Sequence, residues 1–124
     1  MESFIELEHV KFFAYHGVMP QERIVGNNFE VNLRIRVDFK EALDSDLLDN
    51  TISYADVYEV IKKEMMIPSD LIEHVAGRIL RALTATWPTI EGIELKVSKI
   101  NPPIPGDVER ASVILKWNKP TAGC

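Results

Sequence analysis

At 124 residues, 46% hydrophobic and 27% charged, the chain has the size and balance of one globular domain, too short for a catalytic domain plus a separate regulatory one. Its net charge of −5, without a run of Lys or Arg, excludes the cationic stripe that nucleic-acid backbones require. With no basic-then-apolar leader, no apolar run long enough to span a bilayer and one cysteine, Cys124, a cytoplasmic protein without disulfide, multi-thiolate metal site or membrane partner is expected.

Residues 4–15 are rich in aromatic and branched side chains and predict a strand. Gly17, Pro20 and Gly26 then mark a long loop. From Asn28 to Asp38 the residues alternate, with Phe29, Val31, Leu33, Ile35 and Val37 on one side and Glu30, Asn32, Arg34 and Arg36 on the other. The two strands are expected to pair as an antiparallel hairpin.

A helix is predicted to open at Ser53, its hydroxyl capping the first turn and Asp56 closing a reciprocal cap, with Val57, Val60, Ile61 and Met65 as the apolar stripe. A second is predicted to open near Asp70 and to carry Leu71, Ile72, Val75, Ala76, Ile79, Leu80 and Leu83 until Pro88 stops it. After Gly92, alternation returns in Ile93, Leu95 and Val97, and again in Ala111, Val113, Leu115 and Trp117, with turn-forming residues 101–107 between.

The order ββααββ predicts an α+β fold, a four-stranded antiparallel sheet with two helices on its apolar face, over residues 1–118, with 119–124 as a flexible tail. The other face, with Glu30, Arg34, Arg36, Glu94 and Lys96, is expected to meet water or a polar lumen. Such a sheet has two open edges, and joining them between subunits into a barrel is one way to protect them.

Four polar side chains fall where elements begin or end: Glu22, Tyr54, Glu73 and Lys99. Each has a structural explanation beside the functional one. Glu73, three residues after Asp70, suits the closing carboxylate of a helix cap; Glu22 suits a solvated turn; the Tyr54 ring can simply pack. Lys99 is the most informative, because odd positions of its strand also carry Ile93, Leu95 and Val97. A lysine on the apolar side requires a polar pocket or a carboxylate partner. His9 and His16, seven apart, fall on opposite faces of an uninterrupted strand, so no three-histidine metal site is expected, and His74 reads as a histidine satisfied at a helix edge.

Tyr15-His16-Gly17-Val18 with Pro20, Glu22, Gly26 and Phe29, then Asp46 to Tyr54, Leu71-Ile72-Glu73-His74-Val75-Ala76 and Val97-Ser98-Lys99, resemble in order the motifs of the dihydroneopterin aldolases. The resemblance covers nearly the whole chain. It implies the tunnelling fold, subunits joining sheets into a barrel as an octamer of two stacked tetrameric rings, and a retro-aldol cleavage of dihydroneopterin to hydroxymethyl-dihydropterin and glycolaldehyde in folate synthesis. It implies neither cofactor nor metal, since the substrate's own ring imine accepts the electrons released.

By the same resemblance, Glu73 grips the pterin's amino and ring N–H groups with help from the Ile72 backbone, while Ile52, Ser53 and Tyr54 arrive from a neighbouring subunit. Lys99, held by Glu22 and acting through a water, takes the proton of the side-chain hydroxyl, and Tyr54 helps protonate the enamine. Side-chain epimerisation is implied as a second activity. Two alternatives stand beside this reading: an epimerase of the triphosphate substrate, which needs cations such as Arg23, Arg78 or Arg110 near the site, and a non-catalytic pterin-binding ring protein.

Overall fold

The computed structural model describes residues 1–121. Its elements are β1 (Phe4–Ala14), α1 (Pro20–Val25), β2 (Asn27–Arg36), α2 (Ala42–Ser45), a 3-10 turn (Leu48–Asn50), α3 (Tyr54–Met65), α4 (Ile72–Thr86), β3 (Gly92–Ile100) and β4 (Arg110–Asn118). The strands form one antiparallel sheet in the order β1-β2-β3-β4. The loop expected between the first two strands contains α1, and α2 and the 3-10 turn precede α3, so short helices interrupt the simple ββααββ order. Cys124 and the end of the expected tail lie outside the described residues, while the Lys119 N–H donates to the Glu91 carbonyl at 2.8 Å.

The period-two pattern sets which face is buried. Phe29, Val31, Leu33 and Ile35 of β2 and Ile93, Leu95 and Val97 of β3 are buried beneath α3 and α4, which supply Val57, Ile61, Met65, Val75, Ala76, Ile79 and Leu83. Strand β1 departs from a simple strand. Its register with β2 steps from Leu7↔Leu33 to Val10↔Val31, so Glu8 and His9 together oppose one residue, and His9 takes φ 54°. This bulge moves the inward positions from Ile5 and Leu7 to Val10, Phe12 and Ala14. The uninterrupted strand expected over 4–15 is therefore corrected, because alternation by aromatic residues on both sides hid the extra residue.

Both predicted helix caps are also corrected. Ser53 is the residue before α3, but its side chain makes no capping bond; the backbone alone serves, the Ser53 carbonyl accepting the Val57 N–H at 3.1 Å. Helix α4 begins at Ile72, because extended Leu71 (φ −115°, ψ 138°) precedes it and the Asp70 carboxylate is engaged by Arg23. Glu73 thus closes no cap with Asp70.

Candidate active site

Lys99 lies near the end of β3, opposite Phe29 of β2, with its side chain on the apolar face. Glu22 on α1 meets it there: Lys99 Nζ donates to Glu22 Oε2 at 2.5 Å, with both side chains about 85% buried (13% and 15% exposed). The ammonium also lies 5.9 Å from the centre of the Phe29 ring. Gly17 leaves the space that the carboxylate fills, since a Cβ there would collide with Glu22. Gly26 ends α1 at φ 77°, ψ 178°, a conformation open essentially to glycine, and turns the chain into β2.

The next residue of α1 reaches another element. Arg23 pairs with Asp70 in the loop before α4. Helix α1, six residues long, therefore ties the end of β3 through Glu22 to the approach to α4 through Arg23. Glu73, exposed in the first turn of α4, makes no ion pair among the described residues. Ile72 beside it is half-buried against the core, and because Leu71 offers no side-chain cap, the first N–H groups of α4 remain available as donors.

The second part of the predicted site lies elsewhere on the protomer. Ser53 and the exposed Tyr54 line an apolar groove with Phe4, Ile5, Leu43 and Leu48. Ile52 lines it too, but its side chain is buried in the core. Phe4 pairs with Arg36, whereas Lys99 pairs with Phe29; seven steps along β2 separate these rows, about 23 Å at roughly 3.3 Å per residue. Glu22 and Lys99 meet in one protomer and are tied through Arg23 and Gly17 to the loop before α4, whereas Ser53 and Tyr54 line the separate groove with Phe4.

Several groups beside the site gave little sequence signal. His16 is fully buried; its Nδ1 accepts the Ser69 N–H at 3.1 Å, which puts the ring proton on Nε2. Among the described residues Nε2 has no partner at ordinary hydrogen-bond geometry, although the Met65 backbone interacts with the ring and favours its charged form. Burial is the largest cause lowering the His16 pKa from 6.5 to about 4; Met65 opposes it, and Arg78, Lys99 and Arg23 add to it. On the polar face, Glu30 is drawn down to about 2, chiefly by a 2.6 Å hydrogen bond with His9 and further by Asn32 and Arg110, against its own desolvation. His16 and His74 both bond to Ser69, whereas His9 lies on the polar face with Glu30; among the described residues no group of three or more His, Cys, Asp or Glu gathers as a metal site.

The arginines named as candidate cations for the triphosphate alternative each pair with a carboxylate: Arg23 with Asp70, Arg78 with Glu64, and Arg110 with Glu30 and Glu109.

Comparison with known proteins bears on the family of the chain. The family model for FolB, dihydroneopterin aldolase, matches residues 5–116. The dihydroneopterin aldolase of Staphylococcus epidermidis is 33% identical over 114 residues, covering 91% of this chain and 94% of that protein. That of Bacillus subtilis is 33% identical over 116 residues, covering 93% and 97%. The crystal structure of the E. coli dihydroneopterin aldolase in complex with neopterin has the same fold, with a TM-score of 0.86 at 20% identity over 94% of this chain and 99% of that one. The chain belongs to the dihydroneopterin aldolase family.

Proposed function

We propose that Lys99, Glu22, Glu73 and a second subunit's copy of Tyr54 carry out the family's reaction, retro-aldol cleavage of dihydroneopterin to hydroxymethyl-dihydropterin and glycolaldehyde. The observation that carries this reading is the Lys99–Glu22 pair, an ammonium and a carboxylate 2.5 Å apart at the end of β3. Burying two charges at a strand end is poorly explained by stability, because their desolvation offsets much of their attraction.

Glu73 presents two oxygens to the amino and ring N–H groups of the pterin, a bidentate match of charge-assisted hydrogen bonds. At roughly 1.5–3 kcal/mol per bond, two such bonds hold the flat ring in one orientation. The first N–H groups of α4, Ile72 among them, add donors from the same side. Lys99, aimed by Glu22 and acting as the neutral amine, takes the proton from the side-chain hydroxyl through a water and becomes the ammonium. As that oxygen becomes the aldehyde, the carbon–carbon bond breaks and its electrons enter the ring imine. The resulting enamine is protonated with the help of Tyr54, giving the hydroxymethyl product. Re-forming the bond on the other face of glycolaldehyde before it leaves epimerises the side chain.

A protomer in which the groove of Tyr54 is lined by Phe4, a row about 23 Å along the sheet from that of Lys99, needs a second copy to complete this site. Strands β1 and β4 each have an open edge, and pairing these edges between copies closes the sheets into a barrel, with an octamer of two tetrameric rings as the proposed assembly. The polar face would then line the lumen. A cytoplasmic setting is proposed with it.

Incubating the protein with dihydroneopterin, with chelator and separately with added metal, tests the reaction. Glycolaldehyde and hydroxymethyl-dihydropterin are expected in both. No product under either condition would remove the assignment, and product only with metal would remove the proposed mechanism.

A further inference from the structure

Between the Lys99–Glu22 pair and the start of α4 lies a buried polar cluster centred on Ser69 that the reaction above leaves unused. Both backbone groups of Ser69 are clipped to the segment beneath Glu22: its N–H donates to His16 Nδ1 at 3.1 Å, and its carbonyl accepts the Gly17 N–H at 3.0 Å. Its hydroxyl joins α4, accepting from Arg78 Nη2 at 2.9 Å and lying 2.7 Å from His74 Nδ1. With Arg78 as donor, the hydroxyl proton is free to go to His74, the neighbour of Glu73. A continuous series of contacts therefore runs from Lys99 through Glu22, Gly17, His16 and Ser69 to the first turn of α4.

His16 is the unexpected member. A buried aliphatic side chain would fill the space without leaving a nitrogen such as Nε2 short of a well-formed hydrogen bond among the described residues, a defect that native interiors rarely contain. Packing against Phe29, whose ring lies edge-on at 5.1 Å, needs no imidazole. What only a ring nitrogen or a similar acceptor supplies at that point is the bond to the Ser69 N–H.

We infer that His16 is a positioning residue: by clipping Ser69 to the segment under Glu22, it fixes the separation between the Lys99–Glu22 pair and the Glu73 end of α4. This inference rests on the assignment of those three residues to the site. A reacting group displaced by about 1 Å loses on the order of 10²-fold in rate even when binding persists. Releasing the clip should therefore lower kcat more than it raises KM, since Glu73 remains on α4.

The test compares the parent enzyme with His16→Leu, His16→Asn and His16→Gln, measuring kcat, KM and pterin binding, with circular dichroism and sedimentation for fold and assembly. Asparagine puts Oδ1 near the position of Nδ1 and restores the acceptor; glutamine puts its amide nearer Nε2 and does not. We expect His16→Asn to stay within about 3-fold of the parent kcat, and His16→Leu and His16→Gln to fall roughly 10²-fold with KM changed by less than about 5-fold. A His16→Leu enzyme with parental kcat, or equal losses in the Asn and Gln variants, would overturn the inference. If His16→Leu does not assemble, the Asn and Gln pair decides. Lys99→Ala serves as the control: if it stays active, the site assignment itself fails, whereas an inactive Lys99→Ala beside a fully active His16→Leu removes only the role of His16.

Discussion

Lys99 and Glu22, separated by 77 positions in the chain, meet at 2.5 Å on the apolar side of the sheet. Removing the ammonium while leaving Glu73 in place should separate chemistry from binding. Lys99→Ala is expected to lower kcat by about 10²–10⁴, the usual contribution of a positioned acid–base group, while pterin still binds. Single-turnover assays for glycolaldehyde and fluorescence titration with neopterin measure the two effects independently.

Glu73 should show the opposite pattern. It is exposed and makes no ion pair among the described residues, so Glu73→Gln leaves stability within about 0.5 kcal/mol. Replacing one carboxylate oxygen by an NH2 sets a donor against a donor on the pterin edge and weakens binding by at least about 10-fold, the equivalent of losing one charge-assisted bond. Titration with neopterin and thermal unfolding of the same sample check both halves.

Acid should destabilise the fold partly through His16. The unfolded chain titrates this histidine near 6.5 and the folded chain near 4, so between those values the unfolded state binds more protons. Its contribution is fully present above about pH 6.5, falls as pH drops toward 4, and amounts to roughly 3 kcal/mol over the window. Glu30 acts lower: its stabilisation is present above 4.5 and lost as pH falls through 2. Urea midpoints between pH 5 and 7 are expected to slope less in His16→Asn than in the parent.

Gly26→Ala tests the turn that sends α1 into β2. At φ 77° and ψ 178° an alanine is strained, and its Cβ would press on the Phe13 and Tyr15 rings. A loss of roughly 1–3 kcal/mol is expected, read from denaturant unfolding.

Periodicity made the sheet legible. Inward Val31, Leu33 and Ile35 and inward Leu95 and Val97 follow from period two, and the same phase put Lys99 on the apolar side, where it required a polar pocket or a carboxylate partner. The bulge at Glu8 and His9 was not legible, because branched and aromatic residues occur on both sides of β1 and no glycine marks the extra residue. The helix caps misled for another reason: Asp70 had a competing partner in Arg23, 47 positions away, which no local pattern reveals. His16 and Ser69 were invisible as a pair for the same reason, their 53-residue separation being closed only by the fold. Glu22 and Glu73 took their proposed roles from resemblance alone, since a lone carboxylate at a turn or helix start has no distinctive signature.

The most direct test of a site shared between copies pairs two inactive variants. Lys99→Ala and Tyr54→Phe are each assembled alone, then co-expressed so that mixed oligomers form. If Lys99 of one copy works with Tyr54 of another, random mixing leaves about a quarter of the sites with both native residues, and close to a quarter of parent activity returns. Mixed oligomers as inactive as either variant alone would contradict a site divided between subunits.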